Sequence, residues 1–421
     1  MTSHPPHGHP PDIHARHGRE PARSVADHAA AVAALLQGLR TAGRTEMLPL
    51  GQALGRGLAA DVAAPVSLPP FANSQMDGYA VRSSDIPGDG ADLGVVTPVP
   101  AGSTPPALEP GTAAPIMTGA VIPAGADAVV PIERAVPDHF LEPGQGGTVT
   151  LPATGPGTYV RYAGSDIAAG ERALAAGTCL GPAQLGLLAA LGMAEVPVYQ
   201  APTVLLVTTG DEVVEPGRPL PPGKIYDSNG TLLEAAMKQA GLTVRRAGIS
   251  TDNPDELRTL LRAQGPGADL IVTTGGVSKG AYEVVRQAMA GQPVDFLHVA
   301  MQPGGPQGLG TFDDVPFLGF PGNPVSCLVS FEMFLRPALS GLLGAPAARL
   351  PLRARLAHAL TSPGPKHQVR RGSLQPGGTV RLEGGESSHL MHALAGSNVL
   401  VHVPAGVTEL AAGDEVEVWM L

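Results

Sequence analysis

The sequence predicts a multi-domain α/β protein: a doubly wound parallel-sheet domain with a helical connecting domain, an inserted β-rich domain and a C-terminal β-barrel. Three observations carry this. From Thr203 onward, short apolar strands alternate with helix-compatible runs, the pattern of a parallel sheet. Residues 61–159 break into short alternating segments at Pro and Gly, with helical patterning on either side. From about Leu350 the chain alternates again in five short runs. At 421 residues it is too long for one core of ordinary size.

Residues 1–23 carry His4, His7, His9, His14 and His17 among prolines and predict a disordered tail. Ser24 opens a helix, with Asp27 three residues on as in a capping box. Val32, Leu35, Leu36 and Leu39 share one face, and Gly43 is a plausible stop. A second short helix is expected over residues 50–58. Residues 24–60 and 160–200 then form the helical connecting domain, and 61–159 are inserted between them.

Residues 201–345 form the sheet domain. TVLLV ends in Thr208-Thr209-Gly210-Asp211-Glu212, and IYDSN leads into a helix over about 231–240. TVRRAGIS ends near Asp252, and a helix follows over about 254–263. DLIVTTGGVSKGAY reads as a buried strand, a glycine turn and a helix start. VDFLHVAM is a further strand, and VPFLGF ends in PGNPVS, which opens a helix reaching about Leu343. His298 on its apolar strand reads as a satisfied core histidine. Residues 346–421 supply ARLAHAL, HQVRRGSL, TVRLEG, NVLVHVP and DEVEVWML, five strands of a small barrel.

The formal net charge of −10 argues against general binding to a nucleic-acid backbone, yet leaves room for a local basic pocket. Cys179 and Cys327 are far apart, form no zinc spacing and suit a reducing cytoplasm. No run approaches the roughly 18 apolar residues of a membrane span. The polar, proline-rich N-terminus has no signal-peptide pattern.

Ligands of open α/β sheets bind beyond the carboxyl ends of the strands. Paired glycines there, Gly275 and Gly276, let backbone N–H groups approach an anion. Glu212, Asp227, Asp252 and Glu283 sit at predicted loop tips, where one or two could share Mg²⁺ with substrate phosphates or simply cap helices. No Walker A pattern is present, and no G-x-G-x-x-G follows a strand as a dinucleotide fingerprint requires.

Taken together, PPFANSQMDGYAVR, IMTGAVIPAGADAVV, VRYAGSDI, TTGDE, IYDSN, TTGGVS and FPGNPVS, in this order, resemble the MoeA family of molybdopterin molybdenumtransferases, related to the E domain of gephyrin. The resemblance covers nearly everything after residue 24. It implies a MogA-like sheet domain within a four-domain subunit of an elongated cytoplasmic homodimer. The implied reaction inserts molybdenum from molybdate into adenylylated molybdopterin with Mg²⁺, releasing AMP. The implied active site lies between the sheet domain of one subunit and the inserted domain of the other. Residue by residue it points to Asp77, Thr118, Arg161, Asp166, Glu212, Asp227, Pro321 and Pro324. Asp77, Asp166, Glu212 and Asp227 are the catalytic candidates, with Asp227 and Glu212 handling nucleotide or Mg²⁺. Gly275, Gly276 and Ser278 would hold phosphate, with Lys279 as a cation beside it. Arg371 and Ser387 or Ser388 are candidates for molybdate contact. Other proteins of cofactor biosynthesis are possible partners; nucleic acid and membrane are not.

The chain departs from the family pattern in places. Where K-P-G-K-P is frequent, it has Gln302-Pro303-Gly304-Gly305-Pro306, so two anion-binding lysines are missing. Ala281 stands where an acidic residue is frequent, and Glu283 where many members have Asp. Two alternatives stay open: the preceding adenylyltransferase, although Val277 occupies its threonine position, and a catalytically silent scaffold of the same fold.

Overall fold

A computed structural model describes residues 22–39, 44–141, 147–278, 283–346 and 348–421. Nearly all of the expected tail, Gly43, Lys279 and Ala281 lie outside the described residues. The chain divides into two compact units: 1–41, 201–342 and 348–421 in one, 42–200 and 343–347 in the other.

The first unit opens with helix α1 (Val25–Leu36), whose N-cap Ser24 accepts from the Asp27 N–H at 3.0 Å. Its sheet is formed by β1 (Thr203–Thr209), β2 (Thr243–Ser250), β3 (Leu270–Thr274), β4 (Val294–His298), β5 (Pro306–Phe312) and β6 (Val315–Phe320). The strand order is β2-β1-β3-β6-β5-β4. The first four run parallel, and β5 and β4 add antiparallel at one edge. The intervening helices are α2 (Ser228–Gln239), α3 (Pro254–Gln264) and α4 (Val284–Ala288), and α5 (Pro324–Ser330) follows β6. β3 is buried along its whole length and β1 along all but its first residue. Strands covered on both faces read as unbroken apolar runs for this reason. Leu205, Val207, Ile271 and Phe317 meet Leu257 and Leu261 of α3 and Val284 and Val285 of α4 in one core.

The 20-residue helical run Pro324–Leu343 is long and apolar enough to cross a membrane, but 83% of its most apolar window is buried inside the protein. It is a core helix. Glu332 lies in its π-helical turn, Phe331–Leu335, and is 1% exposed. A carboxylate there is tolerable only when paired. The Arg349 Nε and Nη2 donate to its two oxygens at 2.9 Å each, and Arg336 Nε lies 2.9 Å from Oε2. Helix α1 covers the same turn, with the His28 ring edge-on to Phe334 at 4.5 Å. It therefore sits in the sheet unit and not with residues 44–60 and 160–200. Its apolar stripe needed a core, and the stripe alone does not say which.

The barrel closes the unit. Its strands β7 (Pro351–Leu356), β8 (His367–Leu374), β9 (Thr379–Leu382), β10 (Val399–Val403) and β11 (Glu415–Met420) match the five expected runs. They close in the order β8-β9-β7-β11-β10-β8. Met301–Gln302 runs parallel to the start of β8, which joins the barrel to the sheet domain.

In the second unit, Thr45–Pro49 pairs antiparallel with Glu195–Tyr199, and Val62–Ala63 with Arg172–Leu174. The helix expected over 50–58 is only a 3-10 turn, Leu50–Gln52, and the positive-φ Gly55 stops it from continuing. Helix Pro182–Ala190 lies within the 160–200 stretch expected to be helical. The inserted part holds a five-stranded sheet over Tyr79, Val81, Leu93, Val130, Val149 and Leu151.

Two predictions follow from the buried charges. Glu332→Leu strands Arg336 and Arg349 and should cost about 3–5 kcal/mol in urea unfolding, with part recovered in Glu332→Leu/Arg336→Met. The second concerns histidines: burial pushes His28 down to about 4 and His402 down to about 3, from 6.5. Below pH 6.5 the unfolded chain takes up protons that the native state refuses, so stability falls as pH drops from 6.5 toward 4. His28→Phe should flatten that loss by roughly 1 kcal/mol per pH unit, read from urea midpoints at pH 7 and pH 5.

Candidate functional site

Chain order reverses at β1, which has β2 on one side and β3 on the other. Ligand crevices open beyond the carboxyl ends of strands at such a point. Here a cavity of about 1000 Å³ does so. The loops after β1, β3 and β6 line it, together with residues 298–306 and the barrel segment 386–391. All four carboxylates singled out in the sequence, Glu212, Asp227, Asp252 and Glu283, reach this one crevice. So do Gly275, Gly276, Ser278, Pro321, Pro324 and Ser387.

The floor is built from strand-end threonines. Thr208, Thr209 and Thr274 are buried and need partners. Thr209 Oγ1 donates to Thr274 O at 3.3 Å, and Asn229 Nδ2 donates to Thr274 Oγ1 at 3.0 Å and Gly322 O at 2.6 Å. The Cys327 Sγ donates to Pro321 O at 2.7 Å. Burial pushes its thiol up to about 12, so it is no nucleophile. Gly275 and Gly276 have φ of +96° and +62°, and a Cβ at Gly276 would lie 2.9 Å from Val285 N. The turn therefore requires glycine twice, which brings bare backbone to the cavity. The Ser278 N–H donates to Glu283 Oε2 at 3.0 Å.

Asp227 is the most constrained side chain. It is 1% exposed and caps α2, with Oδ1 accepting from Gly230 N at 2.8 Å. Oδ2 accepts from Thr208 Oγ1 at 3.0 Å and from Arg246 Nη2 at 2.5 Å. Gly230 is glycine because this cluster fills the place of its side chain. Both oxygens thus accept hydrogen bonds from the protein, which fixes the orientation of the Asp227 carboxylate on the cavity wall. Glu212 is exposed at the rim, and its side chain makes no hydrogen bond or ion pair among the described residues. No group of three metal-ligating side chains converges among them.

The remaining expected residues separate. Asp77 Oδ1 accepts from Thr118 N at 2.6 Å and Oγ1 at 2.7 Å, in the second unit. The Thr118 backbone bond foremost, then its hydroxyl, holds the Asp77 carboxyl below the usual range. Arg161 and Asp166 are exposed in the same unit, and no hydrogen bond or ion pair among the described residues joins them to that pair. Arg371 is not on the cavity wall. It is 2% exposed, and its Nη2 donates to Gly385 O. Ser387 Oγ shares a hydrogen bond with His389 Nδ1 at 2.8 Å, and Ser388 Oγ accepts from Asn323 Nδ2 at 2.8 Å. Residues 276–280 also spell G-x-S-x-G, the spacing of a nucleophile elbow. No histidine bonds the Ser278 hydroxyl among the described residues, so no serine dyad is built there.

Sequence reasoning passed over Lys366 and misjudged His298. His298 is exposed and lines the cavity. Lys366 lines it too, from just before β8.

Comparison with known proteins gives the setting. The MoeA N-terminal region (domains I and II) matches residues 23–192, a probable molybdopterin binding domain matches 205–341, and the MoeA C-terminal region (domain IV) matches 353–421. Molybdopterin molybdenumtransferase 2 of Mycobacterium tuberculosis is 43% identical over 413 residues, covering 95% of this chain and 100% of its own length. The molybdopterin molybdenumtransferase of Nostoc sp. is 36% identical, covering 96% and 95%. Two crystal structures of molybdopterin biosynthesis MoeA protein from Pyrococcus horikoshii superpose with TM-scores of 0.76 and 0.80, at 30% and 26% identity. Each covers 95% of this chain, and the chain covers 99% and 100% of theirs.

Gly230→Ala should push the Asp227 carboxylate off Thr208 and Arg246 and cost about 2 kcal/mol by overpacking. Gly186→Ala, where nothing lies within 4 Å, is the control and should cost nothing. Urea unfolding of the two variants reads the difference.

Proposed function

The chain belongs to the MoeA family, and on that premise we propose that it is a molybdopterin molybdenumtransferase. It inserts molybdenum from molybdate into adenylylated molybdopterin, releasing AMP and leaving molybdenum cofactor. The observation that carries this is the switch-point cavity, where a double-glycine turn, strand-end threonines and a barrel serine loop share one space of about 1000 Å³. Molybdate and the pterin nucleotide are both anionic, and both must fit there together.

The chain's own groups divide the work. Backbone at Gly275 and Gly276 approaches the phosphates without a side chain between. Ser278 and Asn229 orient them, and Pro321 and Pro324 shape the wall beside them. The Ser387–His389 pair faces the same space from the barrel side. Cleaving a phosphoanhydride asks mainly for positioning and charge stabilisation, and needs no covalent step on the protein. Mg²⁺ would supply charge neutralisation at the phosphates, and Glu212 and Asp227 are the carboxylates that would hold it. A homodimer and a cytoplasmic location belong to the same proposal, as do roles for Asp77, Thr118, Arg161 and Asp166.

Purified protein given adenylylated molybdopterin, Mg²⁺ and molybdate should release AMP, and omitting molybdate should return release to background. AMP release that ignores molybdate would overturn the assignment.

A further inference from the structure

The Asp227 side chain has no exposed surface of its own. A carboxylate offers about four acceptor positions. On Asp227 three of them are filled: Gly230 N bonds Oδ1, and Thr208 Oγ1 and Arg246 Nη2 both bond Oδ2. A cation therefore reaches Oδ2 only where one of those donors gives way. The Gly230 amide belongs to the first turn of α2 and the Thr208 hydroxyl to the buried end of β1, so neither withdraws without undoing its element. The Arg246 guanidinium stands on a long rotatable stem and is half-buried, with 24% of its side chain exposed.

The fold gives that guanidinium other carboxylates to meet. Arg245 and Arg246 leave opposite faces of β2. Arg245 Nη2 donates to Gln264 O and Pro266 O at 3.1 and 3.2 Å, and Arg246 turns the other way, toward α2. There Nη2 lies 3.6 Å from Glu215 Oε1, and Nη1 lies 3.8 Å from Glu234 Oε2. A shift of about 1 Å brings either pair to charge-assisted hydrogen-bond distance. Lys238 Nζ, 2.6 Å from Glu234 Oε1, is the other cation facing this group. Gly230 makes the room: a Cβ there would lie 2.6 Å from Arg246 Nη2 and 2.9 Å from Thr208 Oγ1.

We infer that Arg246 is a positioning residue that competes with a divalent cation for Asp227 Oδ2, and that Glu215 and Glu234 receive its guanidinium when the cation is bound. The inference rests on the proposed transferase function, in which Glu212 and Asp227 hold Mg²⁺. The buried carboxylate then faces a positive charge in both states, so neither state leaves it unpaired, which is costly.

The test reads Mn²⁺ binding by EPR on the full chain, with AMP present and no turnover. Asp227→Asn should remove the site. Arg246→Met should tighten Mn²⁺ binding about fivefold, whereas a merely structural arginine would weaken binding when lost. Glu215→Gln/Glu234→Gln leaves the guanidinium only Asp227 and should weaken binding about fivefold. Adding Arg246→Met to that pair should return affinity to the level of Arg246→Met alone, because the glutamates act through the arginine. Arg246→Lys keeps the charge without the planar fork and should fall between wild type and Arg246→Met. The Mg²⁺ concentration for half-maximal AMP release should move in the same direction in each variant. Urea unfolding shows which variants fold, and the double glutamine variant, which keeps the Arg246–Asp227 pair, carries the test alone where Arg246→Met does not. Mn²⁺ binding retained in Asp227→Asn, not tightened in Arg246→Met, unchanged in the double glutamine variant, or still weakened in the triple variant would overturn the inference. Molybdate-dependent AMP release by the wild type, alongside such results, leaves the transferase function standing and removes only this role of Arg246.

Discussion

The buried Asp227 carboxylate holds the mouth of the sheet together. One side chain ties the end of β1 through Thr208, the adjacent β2 through Arg246 and the first turn of α2 through Gly230 N. Each bond involves a charged acceptor in a place sealed from water, where such bonds are worth about 1.5–3 kcal/mol. The three elements it joins are the ones whose relative position opens the crevice. A carboxylate tied in this way positions all three elements at once. Breaking these bonds would release a half-buried arginine and an N-cap, and both losses cost stability.

Local patterns in the sequence carry some of this arrangement, and pairings between distant segments carry the rest. The strands were legible because burial on both faces writes a continuous apolar run, as in LIVTT and TVLLV. The glycine turn was legible because only glycine serves at the positive φ of Gly275 and Gly276. The four loop-tip carboxylates do share one cavity, since parallel strands deliver their carboxyl ends to one edge. Asp227 itself read equally as cap or ligand; the cap is present, and Arg246, 19 residues away on a neighbouring strand, adds an ion pair that no local pattern announces.

The misplacements have the same origin. Arg370 and Arg371 alternate on β8, and sequence does not say which face meets the cavity; Arg371 turns inward to Gly385. His298 stands on a strand with apolar neighbours but at the antiparallel edge, where its side chain emerges beside Gly305. Lys366 has no local signal at all, because the pairing of Met301 with His367 brings it to the wall. Such contacts between distant segments are what a pattern of periods and turns leaves out.

The cavity's charge arrangement then follows from the fold. Carboxylates line a site meant for anions, yet most are already answered by local donors. Asp227 has Arg246, Glu386 lies 3.7 Å from Arg370, and Asp252 and Asp211 each accept the other's N–H at 3.1–3.2 Å. Glu283 takes the Ser278 N–H. An incoming phosphate at that amide exchanges with a carboxylate of the chain, so it gains only the difference between the two bonds. Selectivity in such a site comes from anions that make several bonds at once, since a single contact is nearly balanced by the one it displaces. A ligand carrying phosphates on a rigid ring system meets that condition, and a lone small anion meets it only where cations stand unpaired.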